Sequence, residues 1–479
     1  MNDVNLLHLS PEIALVATAL AVVLLDMTGV RKGLLAAVAV LGVLSSGATV
    51  LALWGVQGTS FNGALAVDQF ALFFKLLVLG SVFLVVLSSQ DYVGRFAKFI
   101  GEYYGLILLA GAGMMLTAGA RELITIYLAI ELTSFSIVAL AALLKDTKSS
   151  ESALKYLIPS AISSAVMLYG MALVFGMTGS TQLSDIAAGL RETTLLENPT
   201  LTVGFLFMLA GFGFKIAAVP FQMWVPDVYE GAPTPVTAFL SVASKAAGFA
   251  VLLRVFMTAF PVFEADWRDL FAGLAVASMF VGNLVAMAQT NIKRLLGYST
   301  IAHAGYIMIG IAAGGSLGQS GVLFYLAAYA VTNLGAFMAI IALANRSGSE
   351  DINSFAGLGR VAPFPALVLA LCLVSLTGVP PTAGFIGKVY LFNGAVQAGM
   401  GWLAVVGVVN SVLSIYYYWR VIRVMYQEKD YALAKRSDSL PLQASLGLAL
   451  AGVLFLGVAP QAVINWAVEA ITTLQGAGL

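Results

Sequence analysis

The stretch LTVGFLFMLAGFGFKIAAVPFQMWVPDVY, residues 201–229, contains the features that decide the fold. It is almost wholly apolar, but as a single helix it would be about 43 Å long, against a hydrocarbon core of ~30 Å in a membrane. Pro220 lies within it, and an internal proline removes a backbone donor and frees an upstream carbonyl. Lys215 lies just before the proline. The stretch therefore predicts a broken membrane helix with a lysine beside the break.

A second stretch, residues 363–398, is built in the same way. It is too long for one span, and Pro380 and Pro381 interrupt it. Lys388 follows these prolines, whereas the lysine of the first stretch precedes its proline. Broken helices in both halves of a chain are typical of inverted-repeat transporters, because freed carbonyls are tolerated where they line a wet cavity. Two ordinary proline kinks are the alternative, but a lysine at each break favours the transporter fold.

The composition is that of a membrane protein. Of 479 residues, 60% are apolar and 10% are charged, whereas soluble domains average roughly 45–50% and about 25%. Lys+Arg and Asp+Glu are equal at 24 each, so no positive surplus would attract phosphate. These values exclude a soluble globular enzyme, a disordered chain and a nucleic-acid-binding protein. Cys372 is the only cysteine, which excludes internal disulfides and thiolate metal sites, and we expect no metal in this chain.

Long apolar runs, rather than short alternating segments, favour helices over a β-barrel. Runs of about 20 apolar residues, the length of a spanning helix, occur near 11–28, 33–54, 68–89, 102–119, 121–144, 154–178, 201–220, 235–258, 269–288, 294–313, 319–344, 363–381, 402–425 and 442–462. They predict an all-α, polytopic membrane protein with about 14 transmembrane helices, two inverted repeats (helices 4–8 and 9–13) and broken helices 7 and 12. We expect one transmembrane domain, 1–479, comprising the first three helices (1–90), the first repeat (102–258), the second repeat (269–425), and the last helix and tail (442–479).

Basic residues are distributed unequally between the loops when these are numbered along the chain. Sixteen belong to odd-numbered loops: Arg31, Lys32, Arg95, Lys98, Lys145, Lys148, Lys155, Lys293, Arg294, Arg346, Arg360, Arg420, Arg423, Lys429, Lys435 and Arg436. The even-numbered loops have Arg121, Arg191 and Arg268. The positive-inside rule then predicts that the odd loops face the cytoplasm and that both termini face outward. We call the membrane side of the odd loops the odd-loop face.

Six charged residues lie inside apolar runs, where lipid would otherwise surround them. They are Lys75, Lys215, Lys245, Arg254, Lys388 and Glu131. Each charge at the bilayer centre costs roughly 2.5–3.5 kcal/mol, so six unpaired charges would cost on the order of 15–20 kcal/mol. They must therefore face one another, water or a partner subunit.

Five residues are the candidates for proton transfer. Lys215, Lys245 and Lys388 fit a row of proton-binding sites, because a buried lysine can give up its proton whereas arginine stays charged. Glu131 would hold one of these lysines in its charged form, and breaking that pair would release the proton. His303 lies among hydroxyl residues in YSTIAHAGY, where it would relay protons or make only an interhelical hydrogen bond.

Lys75 and Arg254 are weaker candidates. Lys75 follows Asp68 by two helical turns, and Arg254 lies near the outer end of its helix, where a long side chain can snorkel to the surface. For these residues and for the five above, static ion pairs that tie helices together are the alternative.

Three segments identify a resemblance: FKIAAVPFQMWVPDVYEGAPTPVTAFLSVASKAAGF (214–249), NIKRLLGYSTIAHAGY (291–306) and LTGVPPTAGFIGKVYLF (376–392). The chain resembles the antiporter-like membrane subunits of proton-pumping NADH:quinone oxidoreductase, respiratory complex I, over nearly its whole length. M-type members usually have an acidic residue where Lys388 stands, so the lysine favours the N type.

The resemblance implies a role for each candidate residue. Glu131 matches the helix-5 glutamate that pairs with the helix-7 lysine, here Lys215. Lys245 matches the bridging lysine of helix 8, and His303 matches the helix-10 histidine of the hydrophilic axis. Lys388 matches the helix-12 lysine near the outward exit. Together these residues would move protons along a buried axis.

The resemblance also implies the setting of the chain: a translocase subunit in a bacterial inner membrane, without a redox centre of its own. No cofactor is expected in this chain, and flavin, iron–sulfur clusters and quinone are expected in partner subunits. The partners would be other membrane-arm subunits, including another antiporter-like subunit, and the lipid bilayer. Whether the complex takes electrons from NADH or from ferredoxin stays open.

Two alternatives remain from the sequence. The first is a subunit of a multi-subunit cation/proton antiporter, which shares the fold. The second is a structural scaffold of the membrane arm that conducts nothing. Co-purification with a flavin and iron–sulfur arm discriminates against the first, and loss of pumping on replacing Lys215 discriminates against the second.

Overall fold

A computed structural model describes residues 5–95, 99–195, 197–428 and 437–476. The described residues form a bundle of α-helices with one small antiparallel hairpin. The helices are α1 Ser10–Met27, α2 Lys32–Ala52, α3 Gln69–Ser88, α4 Ile100–Gly119, α5 Leu123–Ala141, α6 Thr147–Thr178, α7 Leu183–Gly189, α8 Pro199–Ile216, α9 Trp224–Gly231, α10 Thr234–Phe239, α11 Lys245–Thr258, α12 Glu264–Ala286, α13 Ile292–Ala313, α14 Gly315–Ser347, α15 Leu358–Val361, α16 Pro363–Thr377, α17 Ala383–Gln397, α18 Gly401–Tyr426, α19 Leu440–Val458 and α20 Gln461–Gly476. The hairpin consists of β1 Gly58–Ser60 and β2 Leu65–Val67.

The predicted fourteen spans are confirmed. Thirteen helical segments of the described chain are long and apolar enough to cross a membrane. One of them, Thr234–Thr258, consists of α10, a π-helical turn and α11. The fourteenth span is α16 followed by α17, since each has 15 residues and reaches only about 22 Å. Both predicted breaks are present, at 217–223 between α8 and α9 and at 378–382 between α16 and α17. The all-α prediction missed only the hairpin, which has three residues in each strand.

Helix starts follow the capping residues of the sequence. A side-chain oxygen at the N-cap accepts a hydrogen bond from a backbone N–H of the first turn, which satisfies a donor that the helix itself cannot. The described caps of this kind on long helices are Asp68, Glu122, Asp146, Asn198, Asn291 and Ser439.

Two isolated β-bridges relate the halves of the chain. Glu122, the cap of α5, pairs with Gln182 just after α6, and Asn291, the cap of α13, pairs with Asp351 just after α14. Sixty residues separate the partners in both bridges, and α6 and α14 are the longest helices at 32 and 33 residues. The first bridge joins even-numbered loops and the second joins odd-numbered ones, so the same unit occurs in opposite orientations. This geometry agrees with inverted repeats over helices 4–8 and 9–13.

The most buried helices lie in the middle of the bundle. The segment Thr234–Thr258 is buried except for a partly exposed Met257, and α13 and α14 are nearly as buried. Large apolar side chains instead point outward from the peripheral helices, among them Leu128, Phe135, Ile162 and Trp419. Such exposed apolar surfaces are typical of lipid-facing helices. The core therefore isolates polar groups on α11, α13 and α14 from lipid.

The predicted tail, 442–479, contains a further helix. α20 places Ile464, Ala467, Ile471 and Leu474 against the bundle, where it packs on α3 and α14. Of the basic residues used to predict orientation, Lys98, Lys429, Lys435 and Arg436 lie outside the described residues, as does the side chain of Arg95.

Candidate functional site

Lys215 lies in the last turn of α8, directly before the first break. Its Nζ donates hydrogen bonds to Ser134 Oγ on α5 at 2.7 Å and to Ser160 Oγ on α6 at 3.2 Å. The apolar rings of Phe214 and Trp224 pack beside the break, 5.3 Å apart. The amine is therefore buried and held by neutral hydroxyl groups.

The expected ion pair between Glu131 and Lys215 is not formed in this structure. Within the described part of the chain, no ion pair joins the two residues, and Glu131 instead accepts a hydrogen bond from Ser164. Ser160 and Ser164 are four residues apart and therefore share one face of α6. Serine hydroxyls thus separate the carboxylate from the amine, although the two charges still interact electrostatically.

A small cavity lies beside Lys215 and Ser134. It has a volume of about 20 Å³, and its lining includes the hydroxyl residues Thr133, Tyr156 and Ser244. A cavity needs roughly 10–15 Å³ to hold one water molecule. The cavity therefore has room for one water between Lys215 and the residue that precedes Lys245.

Lys245 lies at the start of α11, immediately after a π-helical turn over Leu240–Ser244. Such turns are rare and frequently occur at functional sites. The Lys245 Nζ donates to the backbone carbonyl of Thr300 on α13 at 2.5 Å, and it lies 5.7 Å from the Tyr329 ring centre. The sequence predicted the lysine but gave no sign of the π-turn.

His303 lies on α13 one turn beyond Thr300. Its Nδ1 is 2.7 Å from the hydroxyl of Tyr325, and its Nε2 is 3.3 Å from the hydroxyl of Tyr418. Lys245 and Lys388 both act on it electrostatically. The histidine is hydrogen-bonded through both ring nitrogens and is suited to pass a proton between them.

Lys388 lies in α17, after the second break. Its Nζ donates to the carbonyl oxygens of Leu376 and Thr377 at 3.1 and 2.8 Å, and it lies 4.4 Å from the Tyr306 ring centre. These carbonyls belong to the last turn of α16, where a helix has no partners of its own for them and has a partial negative charge. The break thus creates the binding site for the amine.

The five predicted residues lie in one buried polar row across the molecule. Three lysines and the histidine expose at most 8% of their surface, and Glu131 is half-buried. Lys215, Glu131, Lys245 and His303 are held by hydroxyls and a carbonyl on α5, α6, α13 and α14. The arrangement has the groups that a proton relay needs, and within the described residues no hydrogen bond joins Lys215 to Lys245 or His303 to Lys388 directly.

The weaker candidates have structural partners. Lys75 forms an ion pair with Glu12 at 2.8 Å, and not with Asp68. Arg254 does not snorkel, because its side chain is 1% exposed and binds both carboxylate oxygens of Asp68 at 2.9 Å. Although burial alone would raise the pKa of Asp68, Arg254 holds it below its ordinary value. These pairs tie α1 to α3 and α3 to α11.

Sequence reasoning missed two parts of the site. It counted Lys293 as a loop residue, but the side chain is buried and pairs with Glu350 at 2.8 Å. It also gave no weight to the buried tyrosines Tyr325, Tyr329 and Tyr418, which surround His303. Tyrosine is common in apolar helices, so the sequence does not single these three out. Their shared contact with His303, which only the structure shows, marks them as part of the site.

Comparisons with known proteins identify the family of this chain. The family model described as NADH:quinone oxidoreductase/Mrp antiporter, TM, matches residues 120–414. The chain is 44% identical to NADH-quinone oxidoreductase subunit N of Trichlorobacter lovleyi, with 98% of each chain covered. It is 33% identical to a chain of respiratory complex I from Thermus thermophilus, with a TM-score of 0.81 over 95% of this chain and 98% of that chain. A chain of the Mrp complex from a Dietzia species has a TM-score of 0.88 over 98% and 97% but only 20% identity, which shows the fold alone.

Proposed function

The chain belongs to the NADH:quinone oxidoreductase/Mrp antiporter family of membrane proteins, and from this premise we propose that it is a proton-translocating, N-type subunit of the membrane arm of complex I. The observation that carries the proposal is the buried row of Glu131, Lys215, Lys245, His303 and Lys388. So many ionisable groups are costly inside a membrane unless they conduct or pair, and four of them are held here by neutral partners.

The proposed path begins at the odd-loop face. A proton reaches the region of Lys245 and His303, is held near Lys215 while the Glu131–Lys215 pair is open, and passes to Lys388. It leaves at the opposite face. The open pair described above corresponds to the holding step, because hydroxyl partners satisfy the amine without fixing its charge.

Closing the pair supplies the gate. Two unit charges about 4 Å apart interact by about 4 kcal/mol at an effective dielectric constant near 20, roughly a thousandfold change in proton affinity. A short movement of Glu131 toward Lys215 would therefore decide whether the amine keeps its proton. Another antiporter-like subunit would transmit this change through charge.

Redox chemistry is assigned to partner subunits. Cys372 is buried and single, and one thiolate cannot hold an iron–sulfur cluster. We place flavin, iron–sulfur clusters and quinone elsewhere in the complex, and the chain in a bacterial inner membrane with the odd loops inside and both termini outside. The chain is then part of an enzyme without performing electron transfer.

The test is the variant Lys215→Met in the intact complex, reconstituted into vesicles. Proton translocation per assembled complex should fall about fivefold or more, because methionine keeps the volume but cannot hold a proton. Arg360→Gln is the control, since its ion pair with Glu428 is largely exposed. Normal pumping by assembled Lys215→Met complex would overturn the proposal in favour of a scaffold. Purification with only cation/proton antiporter subunits, and no flavin, would overturn the assignment to complex I.

A further inference from the structure

A water-accessible cavity opens toward the odd-loop face beside α14. Its volume is about 230 Å³, and its walls include Thr234, Ser349 and Glu350. Glu350 is partly exposed there, with 21% of its side-chain surface accessible. The cavity therefore brings solvent directly to a carboxylate at the edge of the buried core.

The same carboxylate contacts a buried amine. Glu350 Oε1 accepts from Lys293 Nζ at 2.8 Å and from Thr234 Oγ1 at 3.2 Å. Only 3% of the Lys293 side chain is exposed, and its Nζ also donates to the carbonyl of Ala232 at 3.0 Å. The ion pair thus lies across the boundary between solvent and core, with its acid toward the cavity and its amine toward the interior.

Helix α13 connects this pair to the row. Lys293 and Thr300 are seven residues apart, which is two turns or about 10 Å on one helix face. The carbonyl of Thr300 binds Lys245, and its hydroxyl is 2.7 Å from that of Tyr329. The Lys293–Glu350 ion pair therefore lies at the odd-loop end of α13. The Lys245 amine is bound on the same side of this helix, two turns deeper in the membrane.

The side chain of Tyr229, a ring with a hydroxyl group, packs against α13 between Lys293 and Thr300. Gly297 lies on the same face, between Lys293 and Thr300, and the position of its absent Cβ is 3.6 Å from the Tyr229 ring. The same Cβ would lie 3.3 Å from the backbone Cα of Pro226, so the glycine lets α9 pack closely against α13 at this point.

We propose that Lys293 and Glu350 form the proton-uptake site of the odd-loop face and feed Lys245 along this face of α13. The inference rests on the proposed function. Glu350 takes a proton from water in the cavity and becomes a neutral acid, which releases the ammonium of Lys293. Lys293 passes one proton inward, along this face of α13 past Tyr229 and Thr300, to the neutral amine of Lys245. The neutral Lys293 then takes the proton from Glu350, and the ion pair forms again.

The decisive variant is Lys293→Arg in the intact complex in vesicles. Arginine keeps the charge and the pair with Glu350, but it does not release its proton, so pumping per assembled complex should fall about fivefold or more. A merely structural ion pair would tolerate arginine. Glu350→Gln, which is isosteric and cannot take up a proton, should give a loss of similar size.

A second buried ion pair, also at the odd-loop face of the membrane, provides the matched control. Arg346 binds Asp438 through two hydrogen bonds of 2.7 and 2.9 Å, and both side chains are less than a tenth exposed. Arg346→Lys should leave pumping per assembled complex unchanged, because this pair ties α14 to the start of α19 and neither of its residues is a member of the proposed proton path.

The outcomes separate the two proposals. Reduced pumping in Lys215→Met with normal pumping in Lys293→Arg overturns the uptake site alone. Normal pumping in Lys215→Met overturns the proposed function and the uptake site with it. Should Lys293→Arg fail to assemble, Glu350→Gln decides, and normal pumping there overturns the uptake site.

Discussion

The two broken helices interrupt the bundle in different ways. At the first break, backbone N–H groups of Ala217 and Ala218 and the indole of Trp224 satisfy the carbonyls of Phe214 and Gly213. Lys215 binds the serines of α5 and α6 and not the end of its helix. At the second break, the N–H groups of Gly378 and Val379 satisfy the equivalent carbonyls of α16, Val374 and Ser375. The last two carbonyls are bound by Lys388.

This difference shows that the two lysines are not equivalent. The first amine is held by side chains that can exchange one hydrogen bond for another, and the Glu131 carboxylate acts on it electrostatically. The second amine is part of the helix end itself. We therefore expect the first position to act as a switch and the second as a fixed station, where losing the amine also leaves buried carbonyls unsatisfied.

The largest expected effect is on pumping, and the two breaks should differ in whether stability is lost with it. Lys215→Met and Lys388→Met should both reduce proton translocation, but only Lys388→Met should also destabilise the chain. Leaving buried carbonyl groups without a donor costs about 1–3 kcal/mol. Thermal unfolding of the purified complex, measured beside vesicle pumping, checks the difference. Equal stability of the two variants would mean that the α16 end finds another donor.

A smaller effect is expected from the serine hydroxyls of Ser134 and Ser160, which bind Lys215 at the first break. Ser134→Ala removes the shorter hydrogen bond to Lys215, and hydrogen bonds to charged groups contribute about 1.5–3 kcal/mol. An energy of this size sets an upper limit of roughly 10- to 150-fold on the loss of pumping, and the loss should be smaller than in Lys215→Met because the hydrogen bond to Ser160 remains. Ser136→Ala is the control on the same helix, because among the described residues its hydroxyl binds only the Leu132 carbonyl. Equal loss in both variants would contradict a specific role for Ser134.

The smallest effect concerns the backbone at the two breaks. Ala217 follows α8 with φ of +61°, and Gly378 follows α16 with φ of +91°. Since a side chain is strained in this region by roughly 1–2 kcal/mol, Ala217→Gly should raise thermal stability slightly. Gly378→Ala should lower it, because a Cβ there would also lie 2.9 Å from Lys388 Cδ. The paired melting temperatures test whether the first break tolerates strain that the second does not.

The sequence predicted the helices well because the membrane restricts the choices. Apolar length gives the number of spans, and proline inside an apolar run gives the breaks at 217–223 and 378–382. Charges such as Lys215, Lys245 and Lys388 were recognisable because lipid makes each one costly. The partners were harder to predict. Glu12 escaped notice near the start of α1, and Lys293 was counted in a loop although it is buried.

The sequence by itself determined the membrane class, the fourteen spans, the two breaks and the residues whose charge needs a reason. Only the tertiary structure decided which groups meet: that Glu131 binds Ser164 rather than Lys215, and that Lys388 binds the end of α16. Span length and burial cost are properties of single helices, so they can be read locally. Hydrogen-bond partners come from residues separated by tens to hundreds of positions, and helix packing alone brings them within 3 Å of each other.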